Sequence, residues 1–170
     1  MNQRLELNTR TNIERADAFR PIQFVAHHRQ EIDTQLAHLR RNFPNVLDVH
    51  LSPGGVMRFH LYVKIKKTQE GQGKNVMLGA FAGSFDLKHV IVVDDDVDIH
   101  NPTEVEWAVA TRFQADRDLV VIGESQGSKL DPSTRDGVGA KMGLDATKPL
   151  AAPEMVFKRI HVPCEENVDV

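Results

Sequence analysis

Apolar positions recur along the chain with two different periods, and the switches between them predict the order of elements. From Val25 to Phe43 they stand at positions 25, 32, 36, 39 and 43, one stripe of a helix, and Pro44 ends it. Val46 to Leu51 and Met57 to Ile65 change to a period of two. In the second run Phe59, Leu61, Val63 and Ile65 share one face, and Arg58, His60, Tyr62 and Lys64 share the other. Ser52-Pro53-Gly54-Gly55 between them is a turn signal, so the pair predicts an antiparallel hairpin with one half-wet face. A polar break, KKTQEGQG, then precedes a helix over about Lys74 to Phe85. Gly79 and Gly83 suit it to close approach on a sheet, with Met77, Phe81 and Phe85 as its bulk.

The sharpest pattern follows. Val90 to Val93 is an unbroken β-branched run, which predicts a strand buried on both faces. Asp94, Asp95, Asp96 and Asp98 come straight after it, so the strand must surface there and place its acids at the carboxyl edge of the sheet. Asn101 is a good N-cap, Pro102 suits the first helical position and Glu104 the capping-box position. Val105, Ala108, Val109, Arg112 and Phe113 continue at helical spacing. Two helical crossovers, into residues 89–93 and into Leu119 to Ile122, make three strands parallel and the first strand antiparallel to its neighbour. The expected fold is α/β: a mixed, mostly parallel sheet of about four strands with helices packed on it.

The flanks read differently. Residues 1–21 form an arm of scattered charges with a helical stretch at Ile13 to Phe19, which needs a partner surface to become ordered. The domain proper is 22–150. Its last part, 123–150, holds five glycines and two prolines and reads as a long functional or partner-wrapping loop. Residues 151–170 are a tail with an apolar patch at Met155, Val156, Phe157 and Ile160.

Composition narrows the classes. A net charge of -3 supplies no electrostatic reason for a nucleic-acid or anionic-membrane partner. The single cysteine, Cys164, excludes an internal disulfide and fits a reducing, cytoplasmic setting. No signal peptide opens the chain, and no apolar run approaches the roughly 20 residues of a membrane span.

Candidate chemistry starts with the acids. VIVVDDDV matches the strand-DxDxV pattern of haloacid-dehalogenase-like phosphatases, with Asp94 as nucleophile and Asp96 as acid. Against it, 89 residues precede the strand core, too little chain follows, and no GDxxxD pair completes a metal site. The plainer reading is that these acids solvate a strand end, cap the next helix and bind Arg112 or a neighbouring lysine. The eight histidines lack any HxxxH or HExxH spacing, so no metal site is expected. Cys164 reads as an inert thiol. Lys129, Arg135, Lys141 and Lys148 are strung along the glycine-rich segment, as phosphate contacts require, or as a solvated surface loop would have them.

Four blocks, FPNVLDVHLSPGG, KHVIVVDDDVDIHNPTEVEWAVATRFQADRDLVVI, SKLDPS and AKMGLDATKP, stand in an order that resembles the carboxyl-terminal domain of the UbiD family. Those enzymes decarboxylate aromatic and unsaturated acids with prenylated FMN. The resemblance covers roughly residues 22–150 and displaces the phosphatase reading. It implies an oligomerisation domain whose catalytic acids and flavin site belong to preceding domains that this chain lacks, so no catalytic residue is expected here. From the KxGxDA-type block it carries over Lys141 as a cofactor contact. The function it implies is a small, free-standing subunit acting with a larger, prenylated-FMN-binding UbiD-like chain in a homo- or hetero-oligomer, and inactive alone. The alternative is a non-catalytic assembly or regulatory protein that kept the oligomerisation surface.

Overall fold

In the computed structural model, which describes residues 28–158, the stripe ahead of Pro44 is helix α1, residues 28–42. The arm, most of the tail and Cys164 lie outside the described residues. Strands β1 (Val46–Leu51) and β2 (His60–Ile65) follow, then α2 (Gln72–Gly83), β3 (His89–Asp94), α3 (Pro102–Arg112), the single turn α4 (Ala115–Asp118), β4 (Leu119–Gln126) and β5 (Val138–Ala146). The sheet order is β1-β2-β3-β5-β4. Its three central strands are parallel, and an antiparallel strand closes each edge.

The class is the expected one, with five strands in place of four. The third parallel strand is not Leu119–Ile122. That run is an antiparallel edge with Val121 62% exposed, and the central slot belongs to β5, which lies inside the glycine-rich segment. Helix α2 explains the choice. A Cβ on Gly143 of β5 would come within 2.5 Å of Met77 Sδ, so a strand of valines could not run beneath this helix.

The two faces of the sheet are covered unequally. Ile32, Leu36 and Phe43 of the α1 region join Val76, Met77 and Ala80 of α2 over Leu61, Val63, Val90 and Val92. Each fully buried aliphatic side chain contributes about 1.5–3 kcal/mol. Among the described residues the other face carries α3, through Val105 and Ala108 on Val93 and Ala146, with Tyr62 and Ile91 half-buried beside them. The small residues of α2 serve a different neighbour from the expected sheet. Gly79 lies against the Phe43 ring, where a Cβ would fall 2.3 Å from Cε2, and Gly83 faces His38. At α3 the cap forms as expected, with Asn101 Oδ1 accepting from Thr103 N–H at 3.0 Å.

Candidate functional site

Parallel strands end together, and here β2, β3 and β5 bring their carboxyl ends to one edge. Asp94 closes β3, and Arg112 reaches it from the last turn of α3. Arg112 Nη1 donates to Asp94 Oδ2 at 2.8 Å and to Asp96 Oδ1 at 3.0 Å, and Nη2 donates to Asp96 Oδ2 at 3.0 Å. The guanidinium side chain is fully buried and lies 5.1 Å from the Trp107 ring centroid, with Phe157 at 6.0 Å. Lys148 adds its amide to Asp94 at 2.7 Å and its ammonium to Asp96 at 2.8 Å.

Burial pushes the Asp94 carboxyl above its ordinary value, against the opposing Lys148 amide and Arg112 charge. Partial burial pushes Asp96 the same way, but the hydrogen bonds from Arg112 and Lys148 outweigh it and hold that carboxyl below the usual range. Both acids are therefore engaged within the fold, as the plainer reading of the sequence has it, and neither stands free to transfer a proton.

Beside this network lies a pocket of about 350 Å³ between the start of α2 and the end of β5, with Lys67, Lys74, Arg112, Arg117, Asp145 and Thr147 in its lining. Lys67 pairs with Glu70 at 3.0 Å, and Glu70 also accepts from the Leu150 amide at 2.7 Å. Arg117 approaches Asp118 at 3.6 Å. Asp145 Oδ1 accepts from the Thr147 hydroxyl at 2.6 Å and from its amide at 3.2 Å. A Cβ on Gly73 would fall 2.2 Å from Asp145 Oδ2, so the glycine lets this carboxylate sit against the first turn of α2.

Lys141, the cofactor contact implied by the resemblance, lies toward the opposite end of β5. It is 5% exposed, and its ammonium donates to the carbonyls of Phe85 at 2.7 Å and Leu87 at 2.6 Å, with the Phe81 ring 5.6 Å away. Burial pushes its pKa down, and Asp86 opposes the shift. Of the other strung cations, Lys129 and Arg135 are exposed, so the four do not converge. The loop before β5 is ordered by Asp131, which takes Lys88 Nζ at 2.8 Å and the Ser133 amide and hydroxyl at 2.9 and 2.7 Å. Histidines pair among themselves: His60 stacks on His89 with centroids 4.4 Å apart, and His50 meets His100 at 4.7 Å. Among the described residues no group of three or more His, Cys, Asp or Glu could hold a metal, and no helix is long and apolar enough to cross a membrane.

Local sequence pattern does not reveal the pocket around Lys67, Lys74, Asp145 and Thr147. Its one signal is position: KKTQEGQGK follows β2 directly, and residues just past the carboxyl ends of parallel strands are where ligands bind in such sheets.

The family model of the 3-octaprenyl-4-hydroxybenzoate carboxy-lyase C-terminal domain, UbiD, matches residues 29–146, and the chain belongs to that family. The anhydromevalonate phosphate decarboxylase of Aeropyrum pernix is 52% identical over 125 residues, which are 74% of this chain and 28% of that protein. The UbiD-class enzyme HmfF from Pelotomaculum thermopropionicum, solved in complex with FMN, superposes with a TM-score of 0.75 at 46% identity, over 82% of this chain and 31% of that one. An evolved dimeric form of HmfF, solved with prFMN, superposes with a TM-score of 0.64 at 37% identity, over 82% of this chain and 28% of that one. The chain thus spans less than a third of the length of these relatives.

Among the described residues, those of this pocket and Lys141 do not by themselves fit a flavin. The pocket is lined by charged side chains with no aromatic wall for the ring system, and Lys141 has two of its three N–H groups on carbonyls.

Proposed function

We propose that this chain is the carboxyl-terminal part of a UbiD-like decarboxylase and works with a larger chain that holds the prenylated flavin and the catalytic acids. One observation carries the reading: the family match covers the C-terminal domain alone, while Asp94 and Asp96 at its edge are bound by Arg112 and Lys148. The substrate is an aromatic or unsaturated carboxylic acid. The 52% identical relative, named for a phosphorylated acid, favours a phosphorylated unsaturated one. Lys141 belongs to this proposal as the residue that meets the cofactor from the domain side once the larger chain is in place.

A pull-down of the tagged chain from its native extract, with mass spectrometry and a flavin absorbance scan, tests the reading. A co-purifying large UbiD-like chain with a flavin spectrum is expected. A colourless homo-oligomer would sink it and leave the non-catalytic assembly or regulatory role.

A further inference from the structure

One face of the sheet is left half open by the described residues. Residues paired across neighbouring strands share a face, and the registers set one residue per strand in a row: His50, Tyr62, Ile91, Leu144 and Leu119. Helix α3 packs on the next row toward the carboxyl edge, at Val93 and Ala146, and only flanks Tyr62 and Ile91. All five members of the row keep accessible area. On its other side a second row runs from His60 through His89 to Val121, which is 62% exposed. Parallel strands such as β2, β3 and β5 occur almost only with both faces covered. This face therefore calls for an occupant.

The start of α1 points to one. Near the end of that helix Arg40 donates to the Val46 and Leu47 carbonyls at the start of β1, so the helix runs back along the strand. Spanning residues 28–42, it is about 22 Å long. The six residues of β1 cover about 20 Å, which sets the start of α1 level with His50 and Leu51. His28 there acts electrostatically on His50, whose ring lies 6.2 Å from that of Tyr62. The chain ahead of residue 28 thus joins the domain at the His50 end of the open row.

That chain carries suitable groups. Ile22, Phe24 and Val25 follow Pro21, ahead of the family match, which begins at residue 29. Strands in a sheet stand about 4.8 Å apart, so the row from β1 to β4 is about 19 Å wide. About six extended residues span that distance, the separation of Ile22 from His28. We infer that residues 22–27 dock on the open face of their own sheet, with Phe24 over Tyr62 and Ile91 and Ile22 over Leu144. A tethered segment meets its surface at an effective concentration on the order of millimolar. A second copy or a larger chain that used the same face would have to displace it. The docking does not rest on the decarboxylase reading above.

The test is NMR of the full chain with labelled Ile and Leu methyls and labelled Phe rings. NOEs from the Phe24 ring to the Ile91 and Leu144 methyls are expected. A sample mixing labelled and unlabelled copies should show none of them between copies. A soluble gadolinium chelate should leave those methyls sharp in the parent and in Phe24→Leu, and broaden them in Phe24→Asp. Where Phe24→Asp does not fold, the NOEs of the parent decide. NOEs found only between copies would give the face to a second molecule and overturn the inference. Equal broadening in the parent and in Phe24→Asp would overturn it too, and leave the face open to a partner chain.

Discussion

Arg112, at the end of α3, and Asp94, at the end of β3, are 18 residues apart in sequence and 2.8 Å apart in the fold, and the arginine side chain has no solvent exposure. Their bond fastens the helix to the carboxyl edge of the strand it follows. Removing one partner of a buried pair leaves the other charged and unmatched, at a cost of about 3–5 kcal/mol. Arg112→Met should lose stability on that scale in urea denaturation. Adding Asp94→Asn should return part of the loss, because the asparagine carbonyl can still accept from the Lys148 amide. A single variant within about 1 kcal/mol of the parent, the scale of a surface pair, would mean that the pair is not structural.

Lys141 is placed to hold the segment after α2. Its two carbonyl partners, Phe85 and Leu87, flank the turn from α2 into β3. Lys141→Met keeps the length of the side chain and strands both carbonyls. The expected loss is about 1–3 kcal/mol for each buried group left unsatisfied, read as a lower midpoint of thermal unfolding. An unchanged midpoint would show that water replaces the ammonium at no cost.

Much of this architecture is legible in the order of residues, and what is not has an identifiable cause. The β1–β2 hairpin, the β3 run and the Asn101 cap are written in contiguous residues, so local pattern finds them. β5 is hidden because its sequence, Val-Gly-Ala-Lys-Met-Gly-Leu-Asp-Ala, is chosen by distant parts. Gly143 answers to Met77 and Lys141 to carbonyls in the turn that follows α2. Neither residue is a strand former by itself. The acids after β3 are readable as partners for Arg112 because an arginine closes the next helix. The pocket is not readable, since Lys74 and Asp145 meet only through the crossover that seats α2 on β5.

The contact between Gly143 and Met77 can be tested directly. Gly143→Ala improves strand propensity but places a methyl 2.5 Å from Met77 Sδ and 3.3 Å from its Cβ and Cγ. Overpacking of this kind costs about 1–3 kcal/mol, so the variant should be less stable than the parent in urea. Met77→Ala alone opens a cavity and also destabilises. Combined, the two should cost less than the sum of the singles, because residues in contact couple. Strict additivity would show that α2 shifts away from the strand.

Acid should weaken the fold in two separable stages. Burial, the largest influence on each of His50, His60 and His89, lowers their pKa values, and neighbouring cationic groups add to it: His100 and His28 for His50, His89 and Lys88 for His60, and Lys88 for His89. A histidine whose folded pKa lies below its unfolded value of 6.5 is protonated first in the unfolded chain. Stability should therefore be intact above that pH and decline as pH falls below it. Asp131 acts lower. The hydrogen bond from Lys88, with those from Ser133, holds its carboxyl at about 2 against an ordinary 3.8, so its contribution is complete above 3.8 and is lost as pH falls toward 2. Unfolding free energies measured from pH 8 downward should show the first decline flattened in His60→Gln. In Asp131→Asn the second should shrink, with the Asp96 carboxyl, also held below its usual range, still contributing to it, and the first should remain. A profile that is flat between pH 7 and 5 would mean that the histidines are equally solvated in both states.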